Sequence, residues 1–347
     1  MSSIADLGGW PSVLTQLLDG STLSAEVANT AMATILAGEA TPAQIGAFLV
    51  ALRAKGESAA EMSGFLDAVL DAATPVPLGG DLRDRVVDIV GTGGDRSHSI
   101  NVSTIASLVV AGAGVPVCKH GNRASSSKCG SADVLDALGV TIDAPPATVA
   151  RCIEHAGIGF CLAPTYHPAF RFAGPVRREL GIPTVFNLLG PMANPARVRR
   201  NVIGVANPAV AERMIETLRV HHSLVAWVVH GSGLDELTTT GPSEVLELRN
   251  GAVRRFAVDA REFGLAPATH DDLVGGDPSV NARAARRVLG GDAGPHRDIV
   301  LLNAGAALVV AGVASELGEG IEAARQAIDS GAAATALDCL ISESAVS

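Results

Sequence analysis

The segment that most constrains the fold is residues 85–104, which read RVVDIVGTGGDRSHSINVST. Its β-branched start, residues 86–90, predicts a buried strand, and the apolar run at 105–110 predicts a helix with Asn101 as its N-cap. Glycines, an aspartate and several hydroxyls lie between them. Glycines let backbone N–H groups approach a ligand closely, and a helix N-terminus favours anions. The segment therefore predicts a phosphate-binding loop.

Two known types of phosphate loop do not match this segment. No lysine follows Gly94, as a Walker-type loop requires, and Arg96 occupies the position of the third glycine in a dinucleotide-binding fingerprint. Taken alone, the segment is also compatible with a tight turn that binds nothing, because glycine turns between a strand and a helix are common.

The composition restricts the class of protein. Aromatic residues make up only 3% of the 347 residues, so the core must be built mainly from Ala, Val, Leu and Ile. The net charge of -10 argues against nucleic acid or an anionic membrane as the main partner. Five cysteines without a C-x-x-C pair, together with the lack of a signal peptide pattern and of a spanning apolar run, predict a soluble cytoplasmic protein.

The N-terminal part of the chain, residues 1–75, is predicted to be a helical domain. Thr41 and Ser58 each precede an apolar helical pattern, with Gln or Glu three residues later, which is the form of a capping box. Short helices of this kind bury little surface alone. A proline-punctuated helical stretch near 167–195 is expected to pack against them and complete the domain.

The rest of the chain, 83–347, is predicted to be an α/β domain that follows a Pro- and Gly-rich hinge at 75–83. Strand and helix patterns alternate there, which favours a mostly parallel central sheet. Strands are predicted at 86–90, 115–117, 159–162, 202–205, 224–229 and 245–248. Helices are predicted at 105–112, 131–138, 146–156, 209–218, 279–289, 303–311 and 319–330.

A second polar loop follows the predicted strand at 115–117. It runs from Lys119 to Ser127 and carries cations, an amide and a series of hydroxyls. Lys119 can pair with a phosphate as a point charge, and Arg123 can do so as a planar fork. A solvated serine-rich loop is the alternative for this segment alone. Two such loops, each between a strand and a helix, favour a ligand site at the C-terminal ends of the strands.

Adjacent carboxylates, Asp235 and Glu236, follow the strand predicted at 224–229. Near two anion-binding loops they suggest Mg²⁺ bound between the protein and phosphate oxygens, with the Ser103 hydroxyl as a further ligand. In an extended segment the two side chains point to opposite sides, so they would serve different ions or one would act through water. A surface acidic pair is the alternative.

Arg177 belongs to another polar cluster, which lies downstream of His167. Its guanidinium can bind a carboxylate bidentately, or it can form an ordinary salt bridge on an exposed helix. From the residues alone, the salt bridge is favoured.

Taken together, the motifs resemble the anthranilate phosphoribosyltransferase family. They are GTGGD, NVST, KHGNR, GIPTVFNLLGP and GLDE, in this order, and the likeness extends over essentially the whole chain. The resemblance implies a nucleoside phosphorylase-like fold with a small helical domain and a large α/β domain, and a homodimer formed through the helical part. It implies transfer of a phosphoribosyl group from 5-phosphoribosyl 1-diphosphate to the amino group of anthranilate, in tryptophan biosynthesis, with Mg²⁺ at two ions per subunit.

By position, the resemblance also implies residue roles. Gly91, Asn122 and Arg177 match anthranilate-binding positions, which reverses the preference for a salt bridge at Arg177. Ser103, Asp235 and Glu236 match magnesium positions, and no residue is assigned as a discrete catalytic acid or base. The positions that match contacts to phosphoribosyl diphosphate are Gly91, Gly94, Asp95, Ser99, Asn101, Val102, Ser103, Thr104, Lys119, His120, Gly121, Asn122, Arg123, Ala124, Ser125, Ser126, Ser127 and Ser131.

Two departures from the family pattern stand in the first loop. Arg96 replaces a common glycine, which restricts the backbone and adds a cation, and Ser99 replaces a common threonine but keeps the hydroxyl. Two other functions remain as alternatives. One is a pyrimidine-nucleoside phosphorylase, whose first loop differs and which leaves the two acids unexplained. The other is a non-catalytic relative that binds nucleic acid, which the net charge disfavours.

Overall fold

The computed structural model describes residues 3–95, 97–124 and 127–346, and its N-terminal part is helical. Thr41 Oγ1 accepts a hydrogen bond from Gln44 N (3.3 Å), and Gln44 Oε1 accepts one from Thr41 N (2.9 Å), which confirms the predicted capping box. Ser58 Oγ accepts from Glu61 N at 3.1 Å in the same way. The helices are α1 (Gly9–Leu18), α2 (Ala25–Leu36), α3 (Pro42–Lys55) and α4 (Ala59–Asp71).

Glu61 connects three parts of this helical layer. Its fully buried carboxylate accepts hydrogen bonds from Leu23 N (2.9 Å), Ser58 N (2.8 Å) and Lys55 Nζ (2.9 Å). A buried carboxylate is tolerated only when such partners compensate for its lost hydration. Glu61 therefore fixes the segment before α2 against the turn between α3 and α4.

Replacing Glu61 by alanine is expected to lower the free energy of unfolding by about 3–5 kcal/mol, because Lys55 and two backbone N–H groups lose their partner. Urea unfolding followed by circular dichroism measures the change. Glu39→Ala alters an exposed glutamate of the same layer and is the control, with an expected change below about 0.5 kcal/mol. Equal losses in the two variants would contradict the special role of Glu61.

Strands and helices alternate after the hinge, as the sequence predicted. Short 3₁₀ helices at Pro168–Arg171, Gly190–Met192, Pro208–Val210, Ala260–Phe263 and Asp271–Leu273 lie between the longer elements. In chain order, the α-helices and strands after the hinge are α5 (Leu82–Arg85), β1 (Asp88–Gly91), α6 (Val102–Gly112), β2 (Val117–Gly121), α7 (Ser131–Leu138), α8 (Pro146–Ala156), β3 (Ile158–Leu162), α9 (Ala163–Tyr166), α10 (Gly174–Leu180), α11 (Val185–Leu189), β4 (Arg200–Gly204), α12 (Ala211–Val220), β5 (Val225–Gly231), β6 (Ser243–Arg249), β7 (Ala252–Val258), α13 (Pro278–Leu289), α14 (Pro295–Ala311), α15 (Leu317–Asp329) and α16 (Ala332–Ser344).

The strands form a five-stranded sheet in the order β1-β4-β5-β6-β7 and a two-stranded sheet of β2 and β3. β1, β4 and β5 are parallel, as are β2 and β3, whereas β6 and β7 pair antiparallel. A parallel bridge between Val87 and Val117 joins the two sheets. The predicted mostly parallel sheet is thus confirmed, with an antiparallel edge added to it.

Besides shifted ends, as at β2, and the unpredicted short helices α5 and α9, three longer elements differ from the sequence prediction. β7 was missed because its first four residues are exposed and include Arg254, so it shows no apolar run. α14 begins at Pro295 rather than at 303, because polar residues in its first turn interrupt the apolar pattern. α16 was missed because its alanine-rich sequence has weak periodicity. All three are defined by packing rather than by local pattern.

Side chains alternate between the two faces of the sheet. Val202 of β4 lies in a core shared with α6, α14 and α16, whereas its neighbour Ile203 lies in a second core on the opposite face. This second core also contains Phe48 of α3, Val176 of α10 and Phe186 of α11, so the 167–195 stretch packs with the N-terminal helices. None of the helices in the described part of the chain is long and apolar enough to cross a membrane.

Candidate active site

Three neighbouring parallel strands end in glycine at the same edge of the sheet: β1 at Gly91, β4 at Gly204 and β5 at Gly231. A Cβ atom at Gly204 would lie 1.5 Å from the Asp235 carbonyl oxygen, and one at Gly91 would lie 2.3 Å from Asp235 Oδ2. At Gly231 it would lie 2.2 Å from the Glu236 carbonyl oxygen. The glycines therefore allow the acidic segment after β5 to lie directly on the strand ends.

The two acids contact different parts of the first loop. Asp235 Oδ2 accepts a hydrogen bond from Gly93 N at 2.6 Å, and Glu236 Oε1 accepts one from Ser103 N at 3.3 Å. Burial, followed by the charge of Asp95, raises the pKa of Asp235 to about 7. Burial and then Asp235 raise the pKa of Glu236 well above its ordinary value. Negative charge is concentrated here and only partly compensated.

Lys119 brings the second loop to the same place. It lies in the middle of β2, so the strand extends into the predicted loop. It has 1% of its surface exposed, and its Nζ donates to the Ile89 carbonyl at 2.7 Å and to Ser103 Oγ at 3.4 Å. Burial lowers the pKa of Lys119, while the charges of Asp88 and Glu236 oppose the shift. Two of its three N–H donors are used, which leaves one for a ligand.

The oxygen donors at this edge fit a magnesium ion. Mg²⁺ prefers hard oxygen ligands, and carboxylates of Asp235 and Glu236 lie here with the Ser103 hydroxyl close to Lys119 Nζ. The raised pKa values of the two acids indicate that the protein alone compensates their charge poorly. A divalent cation bound here would supply the missing positive charge.

The remainder of the second loop is held by α7. Arg123 donates to Asp133 Oδ1 (2.9 Å) and to Asp136 Oδ2 (3.1 Å), so its fork is occupied by protein carboxylates rather than turned towards the first loop. Asp133 Oδ2 also accepts from Ala124 N at 2.8 Å, and Ser131 Oγ accepts from Asn122 N at 3.1 Å. The predicted ligands Ser125 and Ser126 lie outside the described residues, as does Arg96.

Asn101 occupies the N-cap position of α6, as predicted, but its side chain does not cap the helix. Its Nδ2 donates to the Cys129 carbonyl at 3.1 Å, and its Oδ1 accepts from Asn281 Nδ2 at 2.8 Å. The capping expectation was wrong because these distant partners hold the amide. The N–H groups of the first turn of α6 have other acceptors: the Ile100 carbonyl for Val102 (2.8 Å), Glu236 Oε1 for Ser103 (3.3 Å) and the Asn101 carbonyl for Thr104 (3.1 Å). The buried Thr104 hydroxyl has no hydrogen-bond partner among the described residues.

A row of rings extends from the second loop to α11. The centroids of His120 and His167 lie 5.1 Å apart, those of His167 and Phe170 5.0 Å, and those of Phe170 and Phe186 5.2 Å. Burial, and then the nearby His167, lowers the pKa of His120 to about 3. His120 Nε2 is buried without a hydrogen-bond partner in the described ranges. The row forms an aromatic wall beside the second loop.

Arg177 lies over the end of this wall, with its guanidinium carbon 4.9 Å from the centroid of Phe186. Burial lowers its pKa. Within residues 3–95, 97–124 and 127–346, no carboxylate forms an ion pair with it, so the salt bridge favoured from the residues alone is not formed. A cation beside an aromatic surface fits an aromatic carboxylate.

Sequence reasoning missed most of the groups that support the site. Phe170 lies in none of the motifs and Phe186 lies in GIPTVFNLLGP without an assigned role, although aromatic residues are so rare in this chain that their grouping in one stretch was a usable signal. Buried Asp88 and Asn194 were also missed. Asp88 Oδ1 accepts from His120 N (3.2 Å) and its Oδ2 from Asn194 Nδ2 (2.8 Å), which fixes β2 beside β1.

Comparison with known proteins identifies the family. The family described as "Glycosyl transferase family, a/b domain" matches residues 83–334, and the one described as "Glycosyl transferase family, helical bundle domain" matches residues 11–73. An anthranilate phosphoribosyltransferase of Saccharopolyspora erythraea is 51% identical over 95% of both chains. One of Thermomicrobium roseum is 53% identical, also over 95% of both. The chain belongs to the anthranilate phosphoribosyltransferase family.

Solved structures of this family have the same fold. The anthranilate phosphoribosyltransferase of Thermus thermophilus superposes with a TM-score of 0.90 and 42% identity, over 96% of this chain and 99% of the other. The Saccharomyces cerevisiae enzyme in complex with phosphoribosyl diphosphate and Mg gives a TM-score of 0.87 and 29% identity, over 96% and 97%. The predicted fold, with a helical bundle and a large α/β domain, is confirmed.

Proposed function

We propose that the enzyme transfers the phosphoribosyl group of 5-phosphoribosyl 1-diphosphate to the amino group of anthranilate, giving N-(5-phosphoribosyl)anthranilate and diphosphate, in tryptophan biosynthesis. The observation that carries the proposal is the meeting of three features at one sheet edge: the glycine loop, the buried acids with Lys119, and the ring wall that ends at Arg177. Relatives that share about half of their residues with this chain, over nearly its full length, are named for this activity.

The diphosphate is expected to bind between the first loop and the start of α6. Gly93 and Gly94 have φ values of +67° and +81°, a left-handed conformation that favours glycine, and the Thr104 hydroxyl in the first turn of α6 has no partner within the described part of the chain. The free N–H of Lys119 adds a charged donor. We expect the matched positions on the first loop to form one anion site together with Lys119.

We infer that Asp235, Glu236 and Ser103 hold Mg²⁺ together with the substrate, at two ions per subunit. The two carboxylates contact separate segments, Gly93 and Ser103, which supports two positions rather than one. When bound, Mg²⁺ neutralises charge that develops on the leaving diphosphate. The yeast relative binds Mg with phosphoribosyl diphosphate. The acids act by holding the ion, and their own protonation is not a step of the transfer.

Anthranilate is expected to lie along the ring wall, with its carboxylate on Arg177 and its amine directed to the ribose, near Gly91 and Asn122. A structure of the yeast relative contains 4-fluoroanthranilate. The amine attacks C1 as diphosphate departs, so the site contributes mainly orientation and charge stabilisation. Because the amine is neutral at pH 7, no strong base is needed to expose its lone pair, and we assign no discrete acid or base.

We also propose that the enzyme is a cytoplasmic homodimer formed through the helical layer. Leu18 of α1 is 77% exposed and Val50 of α3 is 43% exposed, and a second copy packed on this layer would remove both from water. Light scattering during size-exclusion chromatography gives the mass directly.

The proposed reaction is tested by following anthranilate fluorescence after mixing purified enzyme, phosphoribosyl diphosphate and Mg²⁺. A decay that requires all of them is expected. No decay, with folded protein and intact substrate, would remove anthranilate as the acceptor. Release of base from pyrimidine nucleosides with phosphate would then favour the phosphorylase alternative, and filter binding at physiological salt would test nucleic acid.

Gly91→Ala is expected to lower turnover roughly 10²-fold, because the added methyl group displaces the Asp235 carboxylate from its place on β1. The circular dichroism spectrum should stay unchanged. Gly79→Ala is the matched control, since nothing lies within 4 Å of a Cβ added there. Equal activity of the two variants would contradict the close approach of Asp235 to β1 in the working enzyme.

A further inference from the structure

Asn303 is a polar side chain in the middle of α14, a helix that is buried from Ile299 to Val310. It is 0% exposed. Its Oδ1 accepts a hydrogen bond from Leu237 N at 3.0 Å, and its Nδ2 donates to the Leu237 carbonyl at 2.8 Å. Nδ2 also donates to the Ile299 carbonyl at 2.9 Å. The carboxamide thus satisfies both backbone groups of Leu237, as a neighbouring β-strand would.

Leu237 directly follows the two acids, so this pairing fixes the end of the acidic segment. The rest of the segment is fixed by backbone contacts: the Asp235 carbonyl lies on Gly204, and the Glu236 carbonyl lies on Gly231. Before it, Gly231 and Leu234 exchange hydrogen bonds of 2.9 and 3.0 Å. Asn303 therefore adds a buried side-chain contact to these backbone contacts, and we call the set a clamp; the Ser243 hydroxyl, which accepts from Thr238 N at 3.0 Å, holds the next residue.

A clamp is needed because like charges are held together here. Asp235 and Glu236 are adjacent, Asp95 is close to both, and mutual repulsion favours a segment that turns the acids towards water. A metal site works best when its ligands are held in place before the ion arrives. Asn303 can hold the segment because a neutral amide offers both a donor and an acceptor and adds no further negative charge.

We propose that Asn303 is a positioning residue for the metal-binding pair: it holds the Leu237 peptide so that Asp235 and Glu236 are preorganised for the cation that accompanies the substrate. The proposal rests on the metal role of these acids in the proposed function. Asn303 touches neither the ion nor the substrate, and its effect on them is indirect.

The test measures cation binding directly, with Mn²⁺ as the probe. The electron paramagnetic resonance signal of free Mn²⁺ is followed during titration of the intact enzyme with phosphoribosyl diphosphate present. Asn303→Leu removes both hydrogen bonds to Leu237 and keeps a similar side-chain volume. Asn303→Asp removes the Nδ2 donor and keeps the shape of the side chain. Both are expected to weaken Mn²⁺ binding about tenfold or more, since supporting residues of metal sites typically change affinity by 10- to 100-fold.

Thr217→Val is the control, because Thr217 is also fully buried and donates to a backbone carbonyl, that of Arg213, away from the acids. It should leave Mn²⁺ binding unchanged. In steady-state kinetics, the Asn303 variants should need more Mg²⁺ for half-maximal rate while KM for anthranilate stays the same. A general loss of structure would alter both.

Mn²⁺ dissociation constants of folded Asn303 variants within about twofold of the wild type would overturn the proposal.

If the Asn303 variants fail to fold, a measurement on the unmodified enzyme replaces them. The Leu237 amide must be protected from hydrogen exchange without metal or substrate, and rapid exchange overturns the clamp. If the wild type binds Mn²⁺ but does not consume anthranilate, the acceptor assignment fails, and weakened Mn²⁺ binding by the Asn303 variants still supports the clamp. If the wild type binds no Mn²⁺ with the diphosphate present, the metal assignment fails, and the positioning role fails with it.

Discussion

Replacing Asp235 by asparagine is expected to lower kcat about 10²–10³-fold and to shift the magnesium dependence to higher concentration. The asparagine Oδ1 can still accept the hydrogen bond from Gly93 N, so the loop is retained. What is lost is the negative charge that holds the cation on the leaving diphosphate. Glu236→Gln is expected to act in the same direction, because its carboxylate is the second charge at this edge. Initial rates over a range of Mg²⁺ concentrations measure both effects.

The same substitution should not reduce stability. Burial and Asp95 raise the pKa of Asp235 in the folded state to about 7, above its ordinary value of 3.8. The unfolded chain therefore loses this proton first as the pH rises, and the contribution of Asp235 to stability falls between about pH 4 and pH 7. An asparagine side chain does not titrate, so without metal at pH 8 the Asp235→Asn variant should unfold at the same or a higher urea concentration than the wild type.

Glu322→Gln alters an exposed carboxylate on α15 and is the control for both measurements. Its rate, magnesium dependence and stability should match those of the wild type. A magnesium titration of Asp235→Asn that superposes on the wild-type curve would contradict the metal assignment. A large loss of stability in metal-free Asp235→Asn would instead assign this carboxylate a structural role.

Local sequence predicted those parts of the structure that depend on local interactions. The capping boxes at Thr41 and Ser58 form because the interacting groups are three residues apart. The parallel strands were predicted from β-branched runs between helical patterns, with ends that differ by a few residues. The edge strand β7 was not, because Arg254 and Arg255 interrupt its apolar pattern and most of its residues are exposed.

The supporting contacts of the site could not be predicted from the sequence because they join distant residues. Asn303 and Leu237 are 66 positions apart, and Asn194 and Asp88 are 106 apart. A single asparagine in an apolar helix shows that a polar partner is required but not which one. Asn101 illustrates the converse, since a local capping pattern was overridden by tertiary partners at Cys129 and Asn281.

Arg177 is the residue for which sequence and structure most clearly lead to different expectations. An arginine beside a glutamate on a short helix usually forms a weak surface pair. Here the guanidinium lies against Phe186 instead, and its positive charge has no ion-pair partner among the residues that the structure describes. A half-buried cation of this kind is costly unless a ligand compensates it. The anthranilate carboxylate is the group that we expect to do so.

Arg177→Gln is therefore expected to raise KM for anthranilate about 10- to 100-fold, which corresponds to the loss of a charge-assisted hydrogen bond of about 1.5–3 kcal/mol. KM for phosphoribosyl diphosphate should remain unchanged. Arg177→Lys keeps the charge but loses the planar fork and its stacking on Phe186, so an intermediate increase is expected. Initial rates with each substrate varied in turn measure the effects.

Arg178→Gln is the matched control, since Arg178 is the exposed neighbour on the same turn of α10. Its kinetic constants should equal those of the wild type. A selective increase of KM for phosphoribosyl diphosphate in Arg177→Gln would place Arg177 at the other substrate. The ring wall would then need another cation for the anthranilate carboxylate. Arg177 lies at the far end of that wall from His120. We therefore expect a substitution at Arg177 to change the KM of one substrate only. The substrate whose KM rises is the one that Arg177 binds.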